Sequence, residues 1–319
     1  MDNILITGGL GFIGKNLAIS LSKKNNVKIL DNSFRKNFSD LKFPNKIKII
    51  KGDIKNPKTL SKCLKNVDTV FHLAFINGTK YFYSKPKLVL DVGIKGTLAL
   101  FDQIEKSNVK KIILASSSEI YQTPKKIPTP EEIEGLVPDV KNPRYSYGSA
   151  KLICEILLLH YLKKKNLKKI IFRPHNIYGP AMGFEHVIPE MIKKMIIKSK
   201  KLKNKNIILK IQGSGLETRS FCFIEDAVNA IELISRKGKN NGIYNIGTTE
   251  EINIKNLTQR IAKNLNLNLK IKKGNLMKGS TLRRKPDISK IKIMGYKNKM
   301  NLNSGLKITV DWYKNFYLR

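Results

Sequence analysis

With 319 residues the chain is long enough to bury a large core, as one α/β domain with extensions or as two lobes. Its hydrophobic fraction of 41% is ordinary for a globular protein, no apolar run reaches the roughly 18 residues of a membrane span, and Cys63, Cys154 and Cys222 are too scattered for a disulfide framework or a zinc site. The net charge of +37 is extreme, but its lysines are spread along the whole chain, which fits a basic surface better than a nucleic-acid groove.

The first predicted element is a strand at residues 4–7, opening directly behind Met1-Asp2-Asn3, so no leader is expected. A glycine turn follows, Gly8-Gly9-Leu10-Gly11-Phe12-Ile13-Gly14, and then a helix over 15–24 with Leu17, Ala18 and Leu21 at helical spacing. Strand, glycine turn and helix N-terminus together form a site for a diphosphate: the backbone approaches closely, and free N–H groups and the helix dipole face the charge. A second strand at 27–30 ends in Asp31, about 20 residues on, where a carboxylate accepts hydrogen bonds from an adenosine ribose. Asp31 favours NAD over NADP because it repels a ribose phosphate, whereas Arg35 nearby keeps NADP as the alternative.

Further strands are predicted at 47–50, 67–71, 112–115 and 170–172, separated by helices over 60–64, 88–104 and 147–162. This alternation predicts an α/β fold with a doubly wound parallel sheet. Ligands bind beyond the carboxyl ends of such strands, which places Gly8, Asp31, Asp53, His72-Leu73-Ala74, Ser116-Ser117-Ser118 and Arg173-Pro174 along one site. After residue 175 the pattern loosens, with helices near 188–197 and 226–234 and a strand near 207–211. Residues 1–175 are therefore expected to form the nucleotide-binding domain, and 176–319 mainly a smaller α/β lobe with no sharp linker.

Tyr147-Gly148-Ser149-Ala150-Lys151 puts a phenol and an ammonium on one helix face. A tyrosine of ordinary pKa, about 10, is a poor base at neutral pH, and a neighbouring cation stabilises its phenolate. The four histidines (His72, His160, His175, His186) lack metal-ligand spacing, and no metal is expected.

These motifs resemble the extended short-chain dehydrogenase/reductases, in the family of NAD-dependent nucleotide-sugar epimerases and dehydratases. The resemblance rests on Gly8-x-x-Gly11-x-x-Gly14, Asp31, Gly52-Asp53-Ile54, His72-Leu73-Ala74, Ser116 to Tyr121 and Tyr147-x-x-x-Lys151. It continues through Arg173 to Pro180, Arg219-Ser220-Phe221 with Asp226, and Arg284-Lys285-Pro286-Asp287-Ile288. It implies a Rossmann-type fold, NAD as cofactor, a nucleotide-diphosphate sugar as substrate and a homodimer paired through helices 88–104 and 147–162, while the scattered cysteines fit a reduced cytoplasm. Tyr147 would remove a proton from a sugar hydroxyl, usually on C4, while Ser117 hydrogen-bonds the same oxygen and Lys151 holds the nicotinamide ribose. The cofactor would be contacted by Gly8, Gly11, Phe12, Ile13 and Gly14 at its diphosphate, Asp31 and Asn32 at the adenosine ribose, and Asp53 and Ile54 at the adenine. Leu73, Ala74 and Arg173 would complete its site. Ser118, Asn176, Arg219 and Arg283 would contact the substrate, the arginines at its diphosphate.

The family's 4,6-dehydratases carry an Asp-Glu pair after the Ser/Thr, and here Ser118-Glu119 stands instead, which disfavours dehydration. Ser118-Glu119 and the Arg-Lys-Pro-Asp-Ile-Ser-Lys segment resemble the nucleotide-sugar glucuronate decarboxylases, with Glu119 a catalytic candidate. Tyr145 to Lys151 and Arg173 to Pro180 are more like epimerases. Epimerase is therefore the leading expectation and decarboxylase the alternative. A non-catalytic dinucleotide- or nucleic-acid-binding protein is the rival from another class. Three positions depart from the family pattern: Phe75 replaces a small residue, Gly93 replaces an Asn, and Gln122 replaces a glycine.

Overall fold

The computed structural model describes residues 1–34 and 43–318; Arg35 lies outside the described residues. Seven parallel strands form the central sheet: β1 (Asn3–Thr7), β2 (Asn26–Asp31), β3 (Ile47–Lys51), β4 (Thr69–His72), β5 (Lys111–Ala115), β6 (Lys168–Pro174) and β7 (Gly242–Ile246). Their order is β7-β6-β5-β4-β1-β2-β3, with every neighbouring pair parallel. The inner strands are apolar runs because helices cover both faces. All four residues of β4 are buried, whereas β3, at the edge, leaves Ile49 in solvent.

One face is covered by α1 (Phe12–Leu21), whose Leu17, Ala18 and Leu21 share a core with residues of a later helix, Ile224–Lys237. The other carries α2 (Pro57–Leu64), which begins at an Asn56 cap accepting from Thr59 N, with Pro57 at the first helical position. It continues through α3 (Thr79–Ser84), α4 (Pro86–Leu90), α5 (Gly96–Glu105) and α6 (Ser146–Ile156). The single helix expected over 88–104 is interrupted by a π-helical turn, Asp91–Lys95, and the one expected over 147–162 ends in another, Leu157–Tyr161. Such turns widen a helix locally and occur often at functional sites.

Beyond residue 175 the chain forms α7 (Val187–Leu202) and then α8 (Ile224–Lys237), after which it returns to the main sheet as β7. Helices Ile254–Asn264, Ser289–Ile293 and Leu302–Leu318 share the rest of the lobe with small strands: Asn206–Lys210 pairs with Asn268–Lys272, and Thr218–Ser220 lies between Glu251–Asn253 and Arg283–Arg284. The strand order reverses between β1 and β4, and the crevice beyond their carboxyl ends is the ligand position of a doubly wound Rossmann-like sheet.

Candidate active site

A cavity of about 1190 Å3 opens along that edge. At its inner end Gly8 follows β1 with φ +72°, and a Cβ there would lie 2.6 Å from the Cα of Ala74, so the turn accepts only glycine. A Cβ on Gly14 would run into the Gly8 carbonyl. Gly11 caps α1 with extended backbone and no side-chain cap bond, so no side-chain oxygen competes for the first-turn N–H groups. The cradle thus has the tight glycine turn and uncapped helix start that a dinucleotide diphosphate requires.

Phe12, Ile13, Asp31, Asn32, Asp53 and Ile54 line the same cavity, as do Leu73 and Ala74 across the β1–β4 crevice. Asp31 accepts from Leu10 N at 3.0 Å and Ser33 N at 2.8 Å. Burial raises its pKa, partly opposed by those two N–H donors. Asp53 accepts from Lys55 N and lies 4.0 Å from the Lys55 ammonium. His72 is not a ligand: it bridges Thr7 on β1 (2.7 Å) to Thr97 on α5 (3.0 Å). Burial and the Lys151 charge hold it neutral, with a pKa lowered to about 3.

Ser117, Tyr147 and Lys151 line the cavity from two elements, the turn after β5 and the first turns of α6, and the Lys151 ammonium lies 6.0 Å from the centroid of the Tyr147 ring. Ser117 accepts from Glu119 N at 3.1 Å and so starts the short 3-10 turn Ser118–Tyr121. Lys151 donates to the Ala115 carbonyl at 2.5 Å, and burial lowers its pKa to about 8. Tyr147 is buried with its ring stacked on Phe82, centroids 4.7 Å apart.

The third sector carries charge. Burial acts to raise the Glu119 pKa, but the Arg284 ion pair at 2.7 Å, with Arg144 and Arg219 behind it, overcomes this and holds it at about 2. Arg284 is buried, and its Nε has no hydrogen-bond partner. Arg219 lines the cavity while donating to the carbonyls of Thr218 and Thr281. Ser118 and Asn176 also line it, the latter in left-handed backbone with its amide on Ser220 O.

Two expectations are corrected. Arg173 does not line the cavity: its guanidinium is buried in a two-pronged pair with Glu155 (2.9 and 2.6 Å) and donates to Tyr121 and the Glu131 carbonyl. Arg283 is exposed and turned onto Glu251 at 2.8 and 2.9 Å; its neighbour Arg284 faces the cavity, because adjacent strand residues point to opposite sides. His175 is fully buried against Asn245 and Tyr121, whereas His186 lines the cavity mouth. Arg144 and Phe82 were not anticipated. Arg144 lies three residues before Tyr147, close enough to be sought; Phe82 reaches the site only through the tertiary fold.

The family model described as the NAD dependent epimerase/dehydratase family matches residues 4–247. The chain is 30% identical over 320 residues to UDP-glucuronic acid decarboxylase 3 of Arabidopsis thaliana, covering 98% of this chain and 89% of the relative. It is 32% identical to UDP-N-acetyl-alpha-D-glucosaminuronate decarboxylase of Bacillus cytotoxicus, covering 97% of each. Among solved structures it superimposes on UDP-N-acetylglucosamine 4-epimerase from Methanobrevibacter ruminantium, in complex with UDP-N-acetylmuramic acid, with a TM-score of 0.87, 27% identity and 99% of both chains covered. Sequence and fold therefore agree: this chain belongs to the NAD-dependent epimerase/dehydratase family.

Proposed function

We propose that the protein is a nucleotide-sugar 4-epimerase that oxidises C4 of an NDP-sugar transiently and reduces it from the other face. The observation that supports this reading is that Ser117, Tyr147 and Lys151 line the same cavity as the glycine cradle. Gly8, Gly11, Phe12, Ile13 and Gly14 hold the cofactor diphosphate, with Asp31, Asn32, Asp53 and Ile54 at its adenosine and Leu73, Ala74 and Lys151 at its nicotinamide half. NAD bound there would supply the oxidant for C4 and then the reductant. The Tyr147 phenolate takes the C4 hydroxyl proton and returns it after the 4-keto sugar has turned over. Ser117 hydrogen-bonds that oxygen, and the Lys151 ammonium stabilises the phenolate.

Epimerisation needs no further proton transfer, whereas elimination of water needs an acid and a base. Glu119 is ion-paired and held ionised near a pKa of about 2, a poor general acid. It serves instead to orient Arg284 and Arg144, which with Arg219 receive the substrate diphosphate; Ser118 and Asn176 face the sugar. Residues 176–319, apart from the α8–β7 return, act as the lobe that closes over the substrate. Leu90 of α4 and Ile153 and Ile156 of α6 stay exposed on adjacent helices and support a homodimer through that face. A reducing cytoplasm suits the three buried free cysteines.

Decarboxylation of an NDP-uronate is the second reading. It is favoured by the two arginines gathered at Glu119, which would attract a sugar carboxylate, and by the two decarboxylase relatives. Incubation with UDP-glucose, UDP-N-acetylglucosamine and UDP-glucuronate, read by mass and NMR, decides. An epimer of unchanged mass supports the proposal, and Tyr147→Phe then lowers turnover by about 10^2–10^4-fold with NAD binding retained. Loss of carbon dioxide replaces it with the second reading, and loss of water overturns both.

A further inference from the structure

Phe75 and Gly93, two of the three departures from the family pattern, meet in space. Gly93 lies in the π-helical turn between α4 and α5, and its φ is not positive, so backbone conformation does not demand glycine. Space does: a Cβ there would lie 2.8 Å from Cε2 of Phe75 and still closer to its Cζ. The Gly93 carbonyl accepts from Thr97 Oγ1 at 2.5 Å and from Cys154 Sγ at 3.4 Å, which keeps the turn from retreating. The phenyl ring thus fills the volume that an Asn side chain would need.

From that niche the ring reaches both members of the reacting pair. The Lys151 ammonium sits 3.9 Å from its centroid, and the ring meets Tyr147 edge-on with centroids 5.3 Å apart. Phe82 packs against Tyr147 in parallel, at an interplanar angle of 12°. We infer that Phe75 is a positioning residue for Lys151 and Tyr147, and that Gly93 is the vacancy that admits it. The π face stands in for water on one side of the cation, leaving the Ala115 carbonyl and the open cavity as outlets for its N–H groups. The ring edge limits swinging of Tyr147, fixing where the phenolate oxygen points. Other titratable groups near Lys151 are His72 on β4, which stays neutral, and Cys154 and Glu155 on α6.

This inference rests on the proposed roles of Tyr147 and Lys151, and the test separates the two. With an active sugar, Phe75→Ala is expected to lower kcat roughly tenfold or more with little change in KM. It should also move the alkaline limb of the kcat profile upward, because water reaches the ammonium. Phe75→Leu should restore the melting temperature but move the limb downward, because it excludes water without offering the ammonium a π face. Gly93→Asn alone should fall below Phe75→Ala by clashing with the ring, and the double variant Phe75→Ala/Gly93→Asn should recover to the Phe75→Ala level. An unchanged kcat and limb in Phe75→Ala, or a double variant no better than Gly93→Asn, overturns the inference. If no sugar is turned over, the proposed function falls, and NAD binding measured by calorimetry against pH decides the inference. A midpoint near pH 8 that rises in Phe75→Ala supports it, and an unmoved midpoint overturns it.

Discussion

Lys151 loses water on burial, and Cys154 and Glu155 only partly offset this, so its pKa falls from 10.5 to about 8. On the proposed mechanism the Lys151 charge that would support the Tyr147 phenolate is lost as pH rises through about 8, and kcat should fall on that alkaline side. Stability moves the other way. The unfolded chain binds the proton more tightly, so between about pH 8 and 10.5 it holds more protons and native stability rises with pH. Thermal melts across that window should climb in the wild type and flatten in Lys151→Met. A wild-type slope matched by the variant would show that Lys151 is not the group responsible. At this scale the sequence was readable where chemistry is local: Gly8, Asp31 and the Tyr147–Lys151 spacing needed no tertiary information. It failed at Arg283, because which of two adjacent arginines faces the cavity depends on Glu251 and Glu119 lying on opposite sides of one short strand.

Helix α6 delivers Tyr147 and Lys151, and its placement depends on the far end of the same helix. Glu155 is buried there, and Arg173 of β6 grips it with two hydrogen bonds while also holding Tyr121 and the Glu131 carbonyl. Breaking a buried pair from one side leaves an uncompensated charge, so Arg173→Ala should cost about 3–5 kcal/mol of stability. NAD affinity of the folded fraction should stay near the wild-type value, since Arg173 does not line the cavity. Calorimetry below the melting transition checks this, and a selective loss of NAD binding would restore Arg173 to the cofactor site. Element existence was legible for the six strands written as apolar runs: five are buried on both faces, which leaves a continuous signal, and the edge strand β3 keeps the run Ile47, Ile49 and Ile50 although Ile49 is exposed. The seventh, β7, carries the fully buried Asn245, which hydrogen-bonds Thr129 O, Asp287 O and Tyr121, so its apolar pattern is broken. The π-helical turns were equally hidden, because 88–104 and 147–162 keep helical periodicity while their backbone hydrogen bonds shift register.

Over the whole molecule the +37 charge surrounds a cavity whose proposed cofactor and substrate are both anionic. Lys80, Lys193, Lys194, Lys198 and Lys201 are among the described residues that line that cavity, as are the acids Glu185 and Glu190. Two of these lysines have local partners, Lys194 on Glu190 and Lys198 on the Ile208 carbonyl. Fields of this kind raise the encounter rate of an anion without altering the chemistry at the sheet edge. Between 0.1 M and 1 M salt the screening length falls from about 10 to about 3 Å, which weakens the attraction of exposed charges for a distant anion. The expected result is a fall in kcat/KM for the nucleotide sugar of about tenfold or more across that range, with kcat unchanged. A nucleic-acid-binding protein would instead hold a polynucleotide at physiological salt, with affinity falling steeply as salt rises. Steady-state kinetics at graded potassium chloride, paired with a filter-binding assay on single-stranded RNA, separates the outcomes. A salt-independent kcat/KM with no RNA retained would leave the lysines as surface composition without a role in capture.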